Sequence, residues 1–312
     1  MKEQEIKDIL IIGGGTAGMT AALYALRAGN SIEIIENYVH GGQIIVSHEV
    51  ENYPAIPGIT GADFAIRLFE QVEKLGMEMK YENITEFDLQ SDIKMLKTAK
   101  GEYFGRTVII ATGSARKTLK APGEAKFSGR GVSYCATCDG AFHKGKPVAV
   151  VGGGNTALED AIFLAKTSSV VHLINKSAEF NGDDLLIETV LNTPNIEVMY
   201  NSQIMEIKGD KLVSGITVMD GSTNQTKELE LGGVFIAIGV LPNSNLFADL
   251  LELDKNGYII AGEDCHTKID GVFAAGDCRT KSLRQLVTAA ADGAVAATEA
   301  NKYIIKQRRM TK

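Results

Sequence analysis

The chain has 312 residues, 45% of them apolar and 23% charged, which is ordinary for a folded protein and long enough for two domains. That balance excludes a disordered, collagen-like or disulfide-scaffold chain. The formal charge of −7 speaks against a nucleic-acid partner, which calls for a basic surface.

Met1–Lys7 is charged and has no apolar centre, so it does not read as a signal peptide. The longest apolar runs, such as Val234–Ile238, are broken by glycines and fall far short of the ~18 residues of a membrane helix. A cytoplasmic protein with no membrane partner is expected. In that compartment four cysteines read as redox or metal residues rather than structural disulfides.

In chain order, the first element is an apolar strand over Ile9–Ile12 that flows into Gly13, Gly15 and Gly18. A helix over Met19–Ala28 and a second strand over Ile32–Ile35 come next, which makes a βαβ unit of a parallel sheet. In G-x-G-x-x-G one glycine makes the tight turn and one lets the backbone approach a pyrophosphate. The third lets helix and strand pack closely. Glu36 closes the second strand, at the distance expected for the acid that holds a ribose hydroxyl. The bland reading is a glycine-rich turn in a plain α/β core.

Val108-Ile-Ile-Ala111-Thr112-Gly113 is the next apolar segment, and Cys135-Ala-Thr-Cys138-Asp139 comes after it. Two thiols at this spacing can cycle between dithiol and disulfide, and Asp139 is placed to move protons during exchange. The alternative is half of a zinc site. Zinc wants a second close pair, which Cys265 and Cys278 do not make, and His40, His48, His143, His172 and His266 are scattered.

Val148–Ala157 then repeats the opening pattern. Gly152, Gly154 and Ala157 stand at one constant offset from Gly13, Gly15 and Gly18. A helix over Leu158–Thr167 and a strand over Val170–Ile174 come next, and Val234–Gly239 resembles Val108–Gly113. The residue matching Glu36 is Asn175, which offers no carboxylate for NAD. NADP instead wants arginines on its 2′-phosphate, and only Lys176 is positive here, opposed by Glu179. The motif therefore reads as a pyrophosphate turn without a selector, or as a relic kept for structure. The chain closes with Gly271–Asp277, a helix from Arg284 to about Ile305, and a polar tail, Arg308–Lys312, expected to fray. The expected architecture is α/β: two Rossmann-like domains, residues 1–114 with 246–312 and residues 118–242, the second inserted into the first.

With a C-x-x-C opening the inserted unit, the chain resembles the low-molecular-weight, bacterial-type thioredoxin reductases over nearly its whole length. Cys135–Gly140 with Val148–Ala157 carries the resemblance most specifically. Gly13–Gly18, Glu36, Gly41-Gly42-Gln43, Val50–Asn52, Ala111-Thr112-Gly113, Gly276-Asp277 and Arg284-Gln285 add to it. Thr16 departs from the proline usual there. The resemblance implies a homodimer that passes electrons through FAD and the Cys135–Cys138 disulfide to thioredoxin. It implies Glu36 at the adenosine ribose, with Gln43, Asn52 and the backbone near Ile84 against FAD. Asp277 would lie at the ribityl or pyrophosphate region, and Arg284 and Gln285 would border the flavin. Cys138 would be the thiol nearest the flavin, Cys135 the one that attacks the substrate, and Asp139 the proton donor. It further implies that the two domains rotate between flavin reduction and dithiol exchange.

The nicotinamide signature departs from that family. NADPH-using members carry H-R-R-x-x-x-R where this chain has Asn175, Lys176, Ser177 and Asn181. Each lost charge-assisted hydrogen bond is worth about 1.5–3 kcal/mol, so NADPH preference is expected to collapse. The retained Gly152–Ala157 turn keeps NADH open; the missing acid at Asn175 favours reduced ferredoxin, delivering directly to the flavin. Two other readings stand beside this one: a dithiol oxidase using oxygen, and a non-enzymatic FAD-bound redox sensor. A ferredoxin–NADP reductase shares the two-domain plan but lacks the Cys135/Cys138 pair.

Overall fold

The computed structural model describes residues 5–310 except His48 and Pro57. The chain divides into two compact units, one built from the chain up to Ala115 and from Leu241 onward, the other from Arg116–Val240. The first opens with β1 (Ile6–Ile12), α1 (Thr16–Arg27) and β2 (Ile32–Glu36). β1 and β2 are parallel, with Ile11 beside Ile34, and α1 is the crossover that a parallel pair requires. Leu10, Ile11 and Ile34 are fully buried. Burial on both faces is why these strands are unbroken apolar runs rather than alternating ones. α1 begins at Thr16, ahead of the expected Met19, because Met19 N already donates to Gly15 O at 2.9 Å.

α2 (Gly61–Glu73) is capped by Thr60, whose hydroxyl accepts from Asp63 N. β3 (Met79–Tyr81), β4 (Ile84–Asp88), β5 (Lys94–Thr98) and β6 (Glu102–Ile110) extend the sheet in the order β3-β2-β1-β6-β5-β4. β7 (Ser114–Arg116) leads out of this unit.

The second unit contains α3 (Glu124–Phe127), β8 (Val132–Ser133), α4 (Ala136–Asp139), β9 (Val148–Val151), α5 (Asn155–Ala165) and β10 (Val171–Ile174). α6 (Asp184–Leu191), β11 (Ile196–Met199), β12 (Ser202–Gly209), β13 (Val213–Asp220), β14 (Thr226–Glu230) and β15 (Gly233–Ile236) complete it. Its parallel sheet has the order β11-β10-β9-β15-β8, and β12-β13-β14 form a separate antiparallel sheet. The repeat holds in three dimensions. β9, α5 and β10 reproduce β1, α1 and β2, and β15 flanks β9 as β6 flanks β1. These are two Rossmann-like folds, the second inserted into the first.

β16 (Val240–Pro242) leads back, β17 (Val272–Ala274) pairs with β6, and α7 (Leu286–Met310) ends the described chain. α7 packs on α1 through small residues: a Cβ on Gly293 would lie 2.2 Å from Ala17 O. α7 runs beyond the expected Ile305. Arg308, expected to fray, is helical and its guanidinium lies 2.6 Å from Asp8 Oδ1. Residues 311 and 312 of that tail lie outside the described residues, as does His48. No helix among the described residues is long and apolar enough to cross a membrane.

Candidate functional site

The carboxyl ends of β1, β2, β6 and β17 border a cavity of about 860 Å³, within the ordinary size range of cofactor sites. That is where open α/β sheets bind ligands. Gly13 has φ +105°, and a Cβ there would stand 2.4 Å from Ala111 O. A Cβ on Gly18 would stand 1.9 Å from Gly13 O, so α1 sits on its turn as only glycine permits. Gly15 is the N-cap of α1 with no side-chain cap, which leaves first-turn N–H groups for an anion. Buried Glu36 accepts from Gly14 N at 2.7 Å and from Tyr38 N at 2.9 Å. The turn and its acid therefore fit the pyrophosphate and ribose of a dinucleotide.

Gly42, Gln43, Ile84, Ala111, Thr112, Gly113, Asp277 and Gln285 line the same cavity. Gln43 donates to Ser114 O. Asn52 stands outside the lining and donates to Gln285 Oε1 at 3.1 Å. Arg284 also stands outside it, with its guanidinium 3.8 Å from the centre of the Tyr258 ring. No sequence pattern pointed to Asn243, which lines the cavity. Thr112 Oγ1 donates to its carbonyl at 2.7 Å, and its side chain returns a bond to Thr112 O at 2.9 Å. Nor did any pattern point to Asp292, a buried carboxylate. That group accepts from Gly276 N at 2.9 Å, Arg279 Nε at 2.8 Å and Lys281 Nζ at 2.8 Å. Both pairings span well over a hundred residues or cross between elements, so no local pattern signals them.

In the second unit Gly152 has φ +148°, and a Cβ there would meet Ala237 O at 2.4 Å and the Ala157 methyl at 2.8 Å. The turn is intact, and Gly154 is again an uncapped N-cap, here of α5. The loop after β10 is held by its own hydrogen bonds. Asn175 is buried and turned into its own loop: its amide donates to Glu179 O at 2.8 Å and its carbonyl oxygen accepts from Ser177 N at 3.3 Å. Asn181 N donates to Gly153 O at 2.8 Å. Asn155, the first residue of α5, donates to Asp183 Oδ2 at 2.7 Å and accepts from Asp183 N at 2.8 Å. A carboxylate thus sits beside the helix start that a pyrophosphate would occupy, while Lys176 is exposed.

Cys135 and Cys138 form a disulfide across α4, with Cα atoms 5.3 Å apart. Cys135 is the N-cap residue, and Asp139 N donates to its carbonyl at 3.1 Å. Asp139 Oδ2 accepts from Ser133 Oγ at 2.5 Å, and Cys135 N donates to the same hydroxyl at 3.1 Å. Asp160 lies on α5, which packs against α4; burial, with help from Glu159, pushes its carboxyl up to about 7. Burial pushes the His143 imidazole down, and its ring meets Phe235 edge-on at 5.3 Å. Cys265 and Cys278 are free and buried, and burial pushes the Cys265 thiol up to about 12. The other described histidines lie apart: His40 stacks on Phe69, His172 faces Glu197 across β10 and β11, and His266 faces Glu299.

The family described as pyridine nucleotide-disulphide oxidoreductase matches residues 7–293. A thioredoxin reductase of Peptoclostridium litorale is 44% identical over 308 residues, covering 96% of this chain and 98% of the relative. The crystal structure of thioredoxin reductase from Streptococcus pyogenes is 37% identical with a TM-score of 0.94, over 97% of this chain and 100% of that one. A ferredoxin-flavin thioredoxin reductase from Clostridium acetobutylicum is 29% identical with a TM-score of 0.53, over 97% and 100%.

Proposed function

Because the chain belongs to the pyridine nucleotide-disulphide oxidoreductases, and within them to the low-molecular-weight thioredoxin reductases, we propose that it reduces a thioredoxin-like protein with electrons from a donor other than NADPH. FAD, the cofactor of this family, would when bound supply a two-electron carrier between the donor and the Cys135–Cys138 disulfide, which one NADH or two reduced ferredoxins could fill. In this reading Gly13, Gly15 and Gly18 seat the pyrophosphate and Glu36 the ribose. Gln43, Thr112, Asp277 and Gln285 border the rest of the cofactor. Cys138 is the thiol that takes electrons from the flavin, Cys135 attacks the partner disulfide, and Asp139 protonates the leaving thiolate. The reading includes a cytoplasmic homodimer, as the family implies.

The observation that carries the choice of donor is Asn175. Its amide is spent on Glu179 O inside its own loop, where a nicotinamide selector would reach outward. Asp183 beside Asn155 adds negative charge where a nucleotide phosphate would approach. The likeness to a ferredoxin-flavin thioredoxin reductase supports reduced ferredoxin ahead of NADH.

Anaerobic flavin bleaching with NADPH, NADH and reduced ferredoxin in parallel tests the choice. Fast bleaching is expected with ferredoxin and only slow bleaching with NADPH; rapid bleaching by micromolar NADPH would overturn it. Cys135→Ser should leave the flavin reducible while transfer to the partner stops. Normal transfer by that variant would show that Cys135 is not the attacking thiol.

A further inference from the structure

We propose that Ser133 is a positioning residue for proton delivery in dithiol–disulfide exchange and that it acts through Asp139. The inference rests on the proposed roles of Cys135 as nucleophile and Asp139 as proton donor, and it adds what aims that donor.

Ser133 is buried at the end of β8, two residues ahead of Cys135. Its hydroxyl has one proton and two acceptors in range: Asp139 Oδ2 at 2.5 Å and Cys135 O at 3.3 Å. The carboxyl is much the closer and, when ionised, the stronger acceptor, so the proton goes there. Ser133 Oγ itself accepts from Cys135 N at 3.1 Å. Ser133 therefore joins the backbone of the attacking cysteine to the carboxyl of the proton donor. Asp139 N to Cys135 O, 3.1 Å, closes the ring from the other side.

The consequence is directional. With Oδ2 held by Ser133, the exchangeable proton of Asp139 rides on Oδ1. In the exchange step the Cys135 thiolate forms a new S–S bond to one sulfur of the partner disulfide, and the old S–S bond breaks. The leaving sulfur keeps the electron pair and takes the proton from Asp139, which is left as carboxylate. A carboxyl free to rotate would present Oδ1 only part of the time. Ionisable groups of this unit near the segment include His143, Lys146, Glu159 and Asp160, and the Tyr134–Glu124 pair next to it. None of them bonds to Ser133, so substituting it leaves them in place.

The leaving group separates proton delivery from general damage. An alkyl thiolate is a basic leaving group and needs the proton, whereas an aromatic nitrobenzoate thiolate leaves without one. Holoprotein reduced with a dithiol and desalted is mixed with bis(hydroxyethyl) disulfide or with a dithiobis(nitrobenzoate). A positioned general acid contributes ~100-fold or more, so Ser133→Ala should slow the alkyl disulfide by at least about fivefold more than the aromatic one. Ser133→Thr keeps the hydroxyl and should restore the alkyl rate. In an Asp139→Asn background Ser133→Ala should add nothing, because the two residues act as one unit. Equal slowing with both disulfides would overturn the proposal, as would an undiminished effect in the Asp139→Asn background or unchanged rates throughout. The reaction uses neither the electron donor nor thioredoxin, so a wrong donor leaves this test intact. Wild-type protein that reduces neither of these disulfides nor a thioredoxin would instead overturn the reductase reading, and this proposal with it.

Discussion

Glycines of the two motifs are not equivalent, and the space around each separates them. Gly18 has no room for a methyl group, since its Cβ would lie 1.9 Å from Gly13 O; Gly154 has only Asn181 Oδ1 within reach, at 3.5 Å. Gly18→Ala must push α1 off its turn, and overpacking of this kind costs about 1–3 kcal/mol. The variant should purify with less FAD and melt at a lower temperature, whereas Gly154→Ala should match the parent in both. Equal FAD content in the two variants would refute the cradle. At the same scale the cysteines divide by burial: two form the disulfide across α4, and Cys265 and Cys278 are sealed inside the first unit. Spacing alone singled out the first pair.

Each helix that comes after a glycine turn has a face toward the sheet and a face shaped by its neighbours. On α5, Ala157, Leu158, Ala161 and Leu164 are buried, the pattern that 3.6-residue periodicity predicts. Asp160 falls between them, and burial pushes its carboxyl up to about 7 from an ordinary 3.8. The folded state therefore binds that proton more tightly than the unfolded chain. Its contribution to stability is fully present below about pH 3.8 and is lost as pH rises through about 7. Asp160→Asn should then melt above the parent near pH 8 and alongside it near pH 4. A gain independent of pH would show that Asp160 titrates normally. The sequence marked α5 as a helix but carried no sign of this group's environment. Periodicity tells which positions face inward, not what surrounds each one.

Across the whole molecule the insertion is the decisive feature. Each unit has its own core, Ile11, Met19 and Phe273 among others in the first and Val150, Leu158 and Phe235 in the second. Within the first unit, the segments on either side of the insertion meet: Asn243 N donates to Gly113 O at 3.0 Å, and the two Thr112–Asn243 bonds lie beside it. Those bonds join residues of the first unit alone, so they are available without the inserted residues. Joining Ala115 directly to Leu241 should give a folded chain that keeps FAD through gel filtration. Loss of FAD together with aggregation would show that the first unit needs the second to fold.

The sequence by itself determined the parts that depend on local spacing. These are the two glycine turns at a constant offset, the βαβ units around them, the thiol pair, and the missing arginines at Asn175–Asn181. Backbone geometry and period constrain these tightly, so few arrangements are compatible with the residues. The tertiary structure alone decided which way side chains point and what closes over long distances. Asn175 turns inward to Glu179 O, Ser133 reaches Asp139, Asn243 meets Thr112, and Asp292 gathers Gly276, Arg279 and Lys281. Those outcomes arise from the competition of buried polar groups for partners after the chain has packed, and that competition has no period for a sequence to display.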